Sequence, residues 1–444
     1  MTTSYLPYDP QQQSLLPHAL QDWLPEGHLA YFISDTVDLL DLSAFHTRYA
    51  GGGPRNQPFN PAMMVKVMLY AYASGVFSSR KIARKLHEDV AFRVLGAGNF
   101  PKHRTVSDFR ALHLEELASL FVQVVKLARE CGLVKLGTIA VDGTKVKASA
   151  SRHKAMSHKR MVETEALLRQ QIAELLTRAG TVDEAEKNEP ELDIPAEIAR
   201  REDRLKVIQA ARERLASRQK EVDLARGRSE DDDRIPRDKD GKPKNKNGNR
   251  YKRDFGVPED STQDNFTDPD SRIMKRSGGG FDQCYNGQTA VDAHAQIIVA
   301  AELSNCAADS GQLPGMLAAV EANLGQVPDK AIADAGYRAE AVFAQLADHP
   351  TNILVSLGRE GRDTVKINAR SNPHTVAMAA KMTTPDAQKN YRRRKAIVEA
   401  PNAWIKHVMG FRQFSMRGLS KVRAEWKLVC AALNLRRMSS MRAI

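Results

Sequence analysis

Gly137-Thr138-Ile139-Ala140-Val141-Asp142-Gly143-Thr144 is the stretch at which the texture of the chain changes. Small and β-branched apolar residues end there at an acid followed by glycine, the pattern of a short strand running into a turn. Before it the pattern predicts helices. Met63, Met64, Val67, Met68 and Ala71 recur at helical spacing, and Leu117, Leu120, Val124 and Leu127 repeat the trend. Gly51-Gly52-Gly53-Pro54 interrupts that region. After the quoted stretch, strands are expected to alternate with helices. Gln288 to Asp292 and Gln296 to Ala301 predict two strands that turn near His294-Ala295, and Pro314 to Leu324 a helix. Lys330-Ala331-Ile332-Ala333-Asp334-Ala335-Gly336-Tyr337 predicts another strand ending in an acid. A helix (Arg338 to Ala347), a strand (Asn352 to Leu357) and a mostly helical tail from about Gln388 complete the series. That order predicts a mixed α/β sheet.

Between the first strand and the rest lies a long charged segment. Met161, Leu168, Ile172, Leu175 and Ala179 form one helical stripe, and Ile198, Leu205, Ile208, Leu215 and Val222 a second. Gly180, Pro190 and Pro195 separate them, so the segment predicts an antiparallel helical hairpin whose stripes either pack on each other or serve a dimer. Glu230 to Gly256 is rich in Asp, Lys, Asn and Gly and is expected to be a flexible loop or disordered. The expected domains are therefore a helical region 1–135, a sheet domain 136–150 with 280–444, an inserted hairpin 151–228 and a charged linker 229–279.

The chain has 444 residues, 42% of them hydrophobic, enough for more than one core. Its formal net charge is +12, which favours a polyanionic partner: nucleic acid first, an anionic membrane surface second. No apolar run is long enough to span a bilayer, and Met1 to Pro10 carries no secretory pattern. Cys131, Cys284, Cys306 and Cys430 are scattered, which points to reduced thiols and a cytoplasmic setting. In the helical region, cations crowd Ser79 to Leu86 and the segment opening at Thr105-Val106-Ser107-Asp108, a capping-box pattern with Asp in place of Glu. Arg80, Lys81, Arg84, Lys85, Lys102, His103, Arg104 and Arg110 suit either a helix-turn-helix against DNA or the solvated face of a helical bundle.

Asp142 and Asp334 each end a strand beside a small residue, where a carboxylate can present its oxygens to a metal held off the sheet. Asp-Gly also opens ordinary turns. A third acid, Glu399, closes the run Tyr391-Arg392-Arg393-Arg394-Lys395-Ala396-Ile397-Val398-Glu399. Pro401 lacks an amide hydrogen and crowds the preceding turn, so it predicts a helix start or kink close to Glu399. The cations continue through Lys406, His407, Arg412 and Arg417. Trp404 suits a base stack or a buried position. Asp292 suits a turn or a supporting role, and His294 a structural one.

These residues resemble the DDE transposases of bacterial insertion sequences. In that family the first Asp ends the first strand, matching Asp142, and the second sits in a D-x-G-Y setting, matching Asp334, Gly336 and Tyr337. The Glu lies in a Y-R-x-R-x-x-x-V-E run, matching Glu399, and an E-x6-K spacing reaches Lys406. The widely used Y-x2-R-x3-E signature is off by one, because Lys395 stands where its Arg would fall. Tyr5-Leu6-Pro7-Tyr8-Asp9-Pro10, Asn265 to Met274 and Tyr285 to Asp292 are similar to segments of one branch that also carries a long helical insertion.

The resemblance implies a ribonuclease-H-like catalytic domain, an all-α N-terminal DNA-binding domain and an inserted helical hairpin. It implies two Mg²⁺ ions, or Mn²⁺, held by Asp142, Asp334 and Glu399, with Asp142 bridging them. Hydrolysis at the terminal inverted repeats would precede transfer of the freed 3′-hydroxyl into target DNA. Lys406, Arg394, Arg393 and Tyr391, with Arg80, Lys81, Arg84 and Arg104, would contact DNA. A homodimer on DNA in the nucleoid, without a membrane partner, is the expected assembly. Two other readings use part of the same pattern: another ribonuclease-H-like nuclease or resolvase, and an inactive transposase-derived repressor.

Overall fold

The computed structural model describes residues 19–49, 57–182, 194–230, 253–276, 279–358 and 367–442. The Tyr5 to Pro10 segment, the Gly51 to Pro54 break and residues 231–252 of the expected linker lie outside them. The regular elements among the described N-terminal residues are helices: α1 (Leu29–Asp38), α2 (Ser43–Thr47), α3 (Pro61–Ala73), α4 (Ser79–Glu88), α5 (Val90–Gly96), α6 (His103–Leu112) and α7 (Leu114–Glu130). Asn60 caps α3 by accepting from the Ala62 amide, and Pro61 occupies its first turn, where the missing amide costs nothing. Met63 through Ala73 are almost all buried, so α3 is an axis packed on every side.

Six strands form the sheet, in the order β4-β5-β1-β7-β8 with β6 also on β5. β1 (Thr138–Lys147) lies at the centre. A two-stranded ribbon of β2 (Ala155–Ser157) and β3 (Gln263–Asn265) stands apart from it. β5 (Phe281–Asp292) pairs antiparallel with β1; its far edge takes β4 (Arg272–Lys275) and then β6 (Ile298–Ser304). β7 (Lys330–Ala333) and β8 (Asn352–Val355) run parallel to β1 on the other side. α8 (His158–Val182), α9 (Ile194–Ala225), α10 (Leu313–Leu324) and α11 (Glu340–Gln345) occupy the intervals, followed by α12 (Pro373–Met382), α13 (Pro385–Arg392), α14 (Arg394–Ala403) and α15 (Leu419–Arg442). The result is a mixed α/β sheet flanked by helices.

The boundary expected near residue 135 is a change of texture and not a gap in packing. One hydrophobic core runs from Ala30 through the sheet to Met438. α15 joins the halves, wholly burying Val429 through Leu433. Its Asn434 brackets the β6 backbone, accepting from the Ile298 amide (2.9 Å) and donating to the Ile298 carbonyl (2.8 Å). A buried network adds to the joint. Glu425 accepts from the Tyr72 hydroxyl (3.0 Å) and the Ser415 amide (3.0 Å), and Arg110 donates to the same hydroxyl (2.9 Å). Removing one member of such a buried charge pair costs about 3–5 kcal/mol, far more than a surface pair is worth.

Four sequence-based expectations change here. Arg110 is buried in that network and does not belong to a basic surface. α6 begins at His103 after Pro101, with no side-chain cap at Lys102, so Thr105 lies inside the helix and no capping box forms. α5 separates α4 from α6, although those two pack together, and the pair is not a simple helix-turn-helix. Finally, residues 253–276 are not linker: β3 and β4 are built from them, and Asp264 is buried while binding Arg214 and Arg218 of α9.

The two helical stripes pack on each other. Met161 and Leu168 of α8 meet Ile208, Ala211 and Leu215 of α9 in a small second core. Gln171 pairs with Arg201 and Glu165 with Gln209, so the helices run antiparallel. Three cationic and amide partners, Arg169, Arg212 and Gln209, hold the Glu165 carboxyl down at about 2 against the opposing effect of burial. Val222, at the end of the second stripe, is exposed.

Candidate active site

The parallel register sets the geometry. Val141 of β1 stands opposite Ala333 of β7, so the next residues, Asp142 and Asp334, leave adjacent strand positions together. β1 continues past the acid because β5 still pairs with it, whereas β7 stops. Asp334 then turns the chain: its Oδ1 accepts from the Gly336 amide (2.8 Å). Burial lifts the Asp142 carboxyl to about 6, and the Asp334 charge adds to the shift while Arg394 opposes it. Two carboxylates are thus held side by side, one of them partly desolvated.

α14 covers this face of the sheet. Its Asn402 donates to Asp142 Oδ2 (3.3 Å), and Asn402 Oδ1 accepts from the Thr289 hydroxyl (3.4 Å). Thr289 is the β5 residue directly opposite Asp142. Glu399 lies one turn before Asn402 and therefore shares its side of the helix. Its side chain is more than half exposed and sits 3.8 Å from Arg394. Pro401 falls inside α14, whose start is Arg394, so the proline does not begin the helix. The distortion follows it instead: Trp404–Val408 forms a π-helical turn, with the Met409 amide bonded to the Trp404 carbonyl. Lys406 sits in that turn. Burial lowers its pKa, and the Asp142 charge pulls the other way, which places the two within electrostatic reach.

The opposite face of the sheet carries a cluster that the sequence reading missed. Gly143, Lys145 and their β5 partners Gln288 and Asn286 share that face, since side chains alternate along a strand. Asp309, from the loop between β6 and α10, accepts from Asn286 Nδ2 (2.6 Å), Gln288 Nε2 (2.7 Å) and Lys145 Nζ (3.2 Å). Gln288 Oε1 in turn accepts from the Tyr337 hydroxyl. A Cβ on Gly143 would overlap Asp309 Oδ1 and lie 2.5 Å from Gln288 Nε2. Asp309 has no periodicity to mark it, and Asn402 was hidden among the cations of the tail; its place three residues after Glu399 was the available signal.

The remaining expected site residues are dispersed. Arg80, Lys81 and Arg84 of α4 and Arg104 of α6 are exposed, Arg84 near Glu88 (3.5 Å) and Arg104 near Asp108 (4.0 Å). Arg393 is exposed at the junction of α13 and α14. Arg394, expected beside it on a DNA-facing surface, is buried next to Glu399, its charge acting on Asp142, with Tyr391 6.0 Å from its guanidinium. Trp404 is part-exposed, under Arg436. Asp292 is a turn residue: buried, it accepts from the Leu136 and His294 amides (both 2.8 Å). Among the described residues, no three His, Cys, Asp or Glu side chains stand close enough together to hold a metal ion as they are, and no helix is long and apolar enough to cross a membrane.

Two family models match, one toward each end of the chain. Residues 18–112 match a model described as Transposase domain (DUF772), and residues 357–439 a model described as Transposase DDE domain. The second includes Glu399 and Lys406 but neither Asp142 nor Asp334. No curated protein and no solved structure gives a significant match.

Proposed function

We propose that this chain, which its two family matches indicate to be a DNA transposase of the DDE kind, cuts the ends of a mobile DNA segment and joins the freed 3′-hydroxyl to a second duplex. Asp142, Asp334 and Glu399 carry the chemistry in this reading. The observation that supports it most is the pairing of Asp142 and Asp334 at adjacent strand ends, with burial raising the first. A desolvated carboxylate is repelled by the charge of a second one beside it, and a divalent cation relieves that repulsion.

Oxygen donors suit Mg²⁺, with Mn²⁺ as a substitute. Asp142 and Asp334 leave adjacent strands, and their oxygens are the donors such a cation takes. Glu399 fits by its place on α14 but is engaged with Arg394, so its carboxylate must turn inward to join them. Bound there, two such ions would activate the attacking water or 3′-hydroxyl and stabilise the leaving oxygen. The chain's own residues do the rest. Asn402 orients Asp142 through its amide, and Arg394 shares its positive charge between Glu399 and Asp142. Lys406 stands where a phosphate at the site would meet a cation, and the exposed cations of α4 and α6 bind backbone phosphates away from it. The ribonuclease-H-like expectation is supported by the strand order β6-β5-β1-β7-β8, in which the antiparallel strands β6, β5 and β1 are continued by β7 and β8 parallel to β1, with β4 added at the edge of β5 and the first acid on the central strand.

The test is a reaction with duplex carrying the element's terminal repeats and a second, unlabelled duplex. With Mg²⁺, cleavage at the repeat and joined product are expected; with excess EDTA, neither. Cleavage without joining would make the protein a nuclease or resolvase. Repeat binding without any cleavage in Mg²⁺ or Mn²⁺ would make it a repressor.

A further inference from the structure

Asp309 has no part in that chemistry, yet it accepts hydrogen bonds from three side chains close to the paired carboxylates. It contacts three residues on two strands, and its partners lead to both acids. Gln288 links it to Tyr337, which ends the turn that Asp334 opens. Lys145 links it to β1 three residues after Asp142. Gly143 leaves the space that the Asp309 carboxylate fills, and Gly336 lies between the two acids: a Cβ there would be 2.9 Å from Asp334 Oδ1 and in ordinary contact, at 3.5 Å, with Asp309 Oδ2.

We propose that Asp309 is a positioning residue, which from behind the sheet fixes the Asp334 turn through Gln288 and Tyr337 and fixes the Asp142 strand through Lys145. The inference rests on the reading of Asp142 and Asp334 as the working acids. The polarity of the hydrogen bonds gives the reason. A carboxylate only accepts, so Gln288 must turn its NH₂ toward Asp309 and its carbonyl toward Tyr337. Tyr337 is wholly buried, so its hydroxyl needs that carbonyl as acceptor. Asn286 is fixed by the same acid: its NH₂ serves Asp309 and the Cys306 carbonyl (3.2 Å), while its buried Oδ1 has no hydrogen-bond partner among the described residues. An asparagine at 309 can offer Gln288 a donor as well as an acceptor, and the chain of bonds loses its single direction.

The experiment uses full-length protein and Mn²⁺ as the probe, followed by the loss of its free electron-paramagnetic signal. Asp309→Asn and Tyr337→Phe should each weaken Asp142-dependent Mn²⁺ binding about tenfold, the size usual for residues that orient ligands. The double variant should be no weaker than either alone, because the residues act in one chain. Hydrogen exchange at the amides of residues 335–338 should quicken in both single variants while β5 stays protected. A lower melting temperature with unchanged Mn²⁺ affinity and unchanged exchange at 335–338 would overturn the proposal. If the wild type shows no Asp142-dependent Mn²⁺ binding, the functional reading fails instead. The exchange result then decides the positioning role by itself. Should Asp309→Asn fail to fold, Tyr337→Phe carries the same comparisons.

Discussion

Asp142→Asn is expected to make the cation-free protein more stable at pH 7.5 and to reduce strand cleavage by on the order of a thousandfold or more. The stability gain follows from the raised pKa. The folded chain holds the Asp142 proton up to about 6, whereas the unfolded chain releases it near 3.8. Below the lower value both states carry the proton and the residue costs nothing. As pH rises between the two values the folded state loses stability, and above about 6 the full penalty applies. That interval corresponds to roughly 3 kcal/mol as an upper figure. Asparagine has the shape of the acid without the charge. Melting in EDTA should therefore show Asp142→Asn above wild type at pH 7.5, with the gain shrinking toward pH 4. A variant less stable than wild type at pH 7.5 would contradict the burial of an ionised carboxylate at this position.

Gly143→Ala has the second largest expected effect. The position needs glycine for space and not for an unusual backbone angle. An added methyl would overlap Asp309 Oδ1 and crowd Gln288 Nε2 at 2.5 Å and Asn286 Oδ1 at 3.0 Å. All three belong to the polar cluster behind the acids, so none can withdraw without breaking a hydrogen bond. Overpacking of this kind typically costs about 1–3 kcal/mol. The displacement also falls next to Asp142, and cleavage should drop about a hundredfold, as small misplacements of reacting groups do. Chemical denaturation and the terminal-repeat assay measure the two effects. Wild-type activity in Gly143→Ala would show that the cluster is not coupled to the acids.

The residues legible in sequence were those whose role is written in local pattern. Asp142 and Asp334 stood out because each ends an apolar run beside a small residue, and β1, β5 to β8 and α10 followed from periodicity. β4 was illegible, since Arg272-Ile273-Met274-Lys275 is short and its surroundings are charged. Its strand character comes from the edge of β5 and not from its own composition. Arg110 and Arg394 were misplaced for one reason: a cation is assigned to solvent unless a buried partner is known, and their partners Glu425 and Glu399 are distant or shared. Asp309 lies in a loop, and only the pairing of β1 with β5 brings its three partners together. The hairpin stripes could be read from spacing, but only the fold shows that Met161 and Leu168 spend their surface on Ile208 and Leu215.

Convergence of the three acids on a divalent ion is most directly tested by anomalous scattering from Mn²⁺ in crystals of the protein with terminal-repeat DNA. The account predicts anomalous peaks bounded by Asp142 and Asp334, with the Glu399 carboxylate moved from Arg394 onto the metal. No peak there, or Glu399 still on Arg394 beside an occupied Asp142–Asp334 pair, would contradict it.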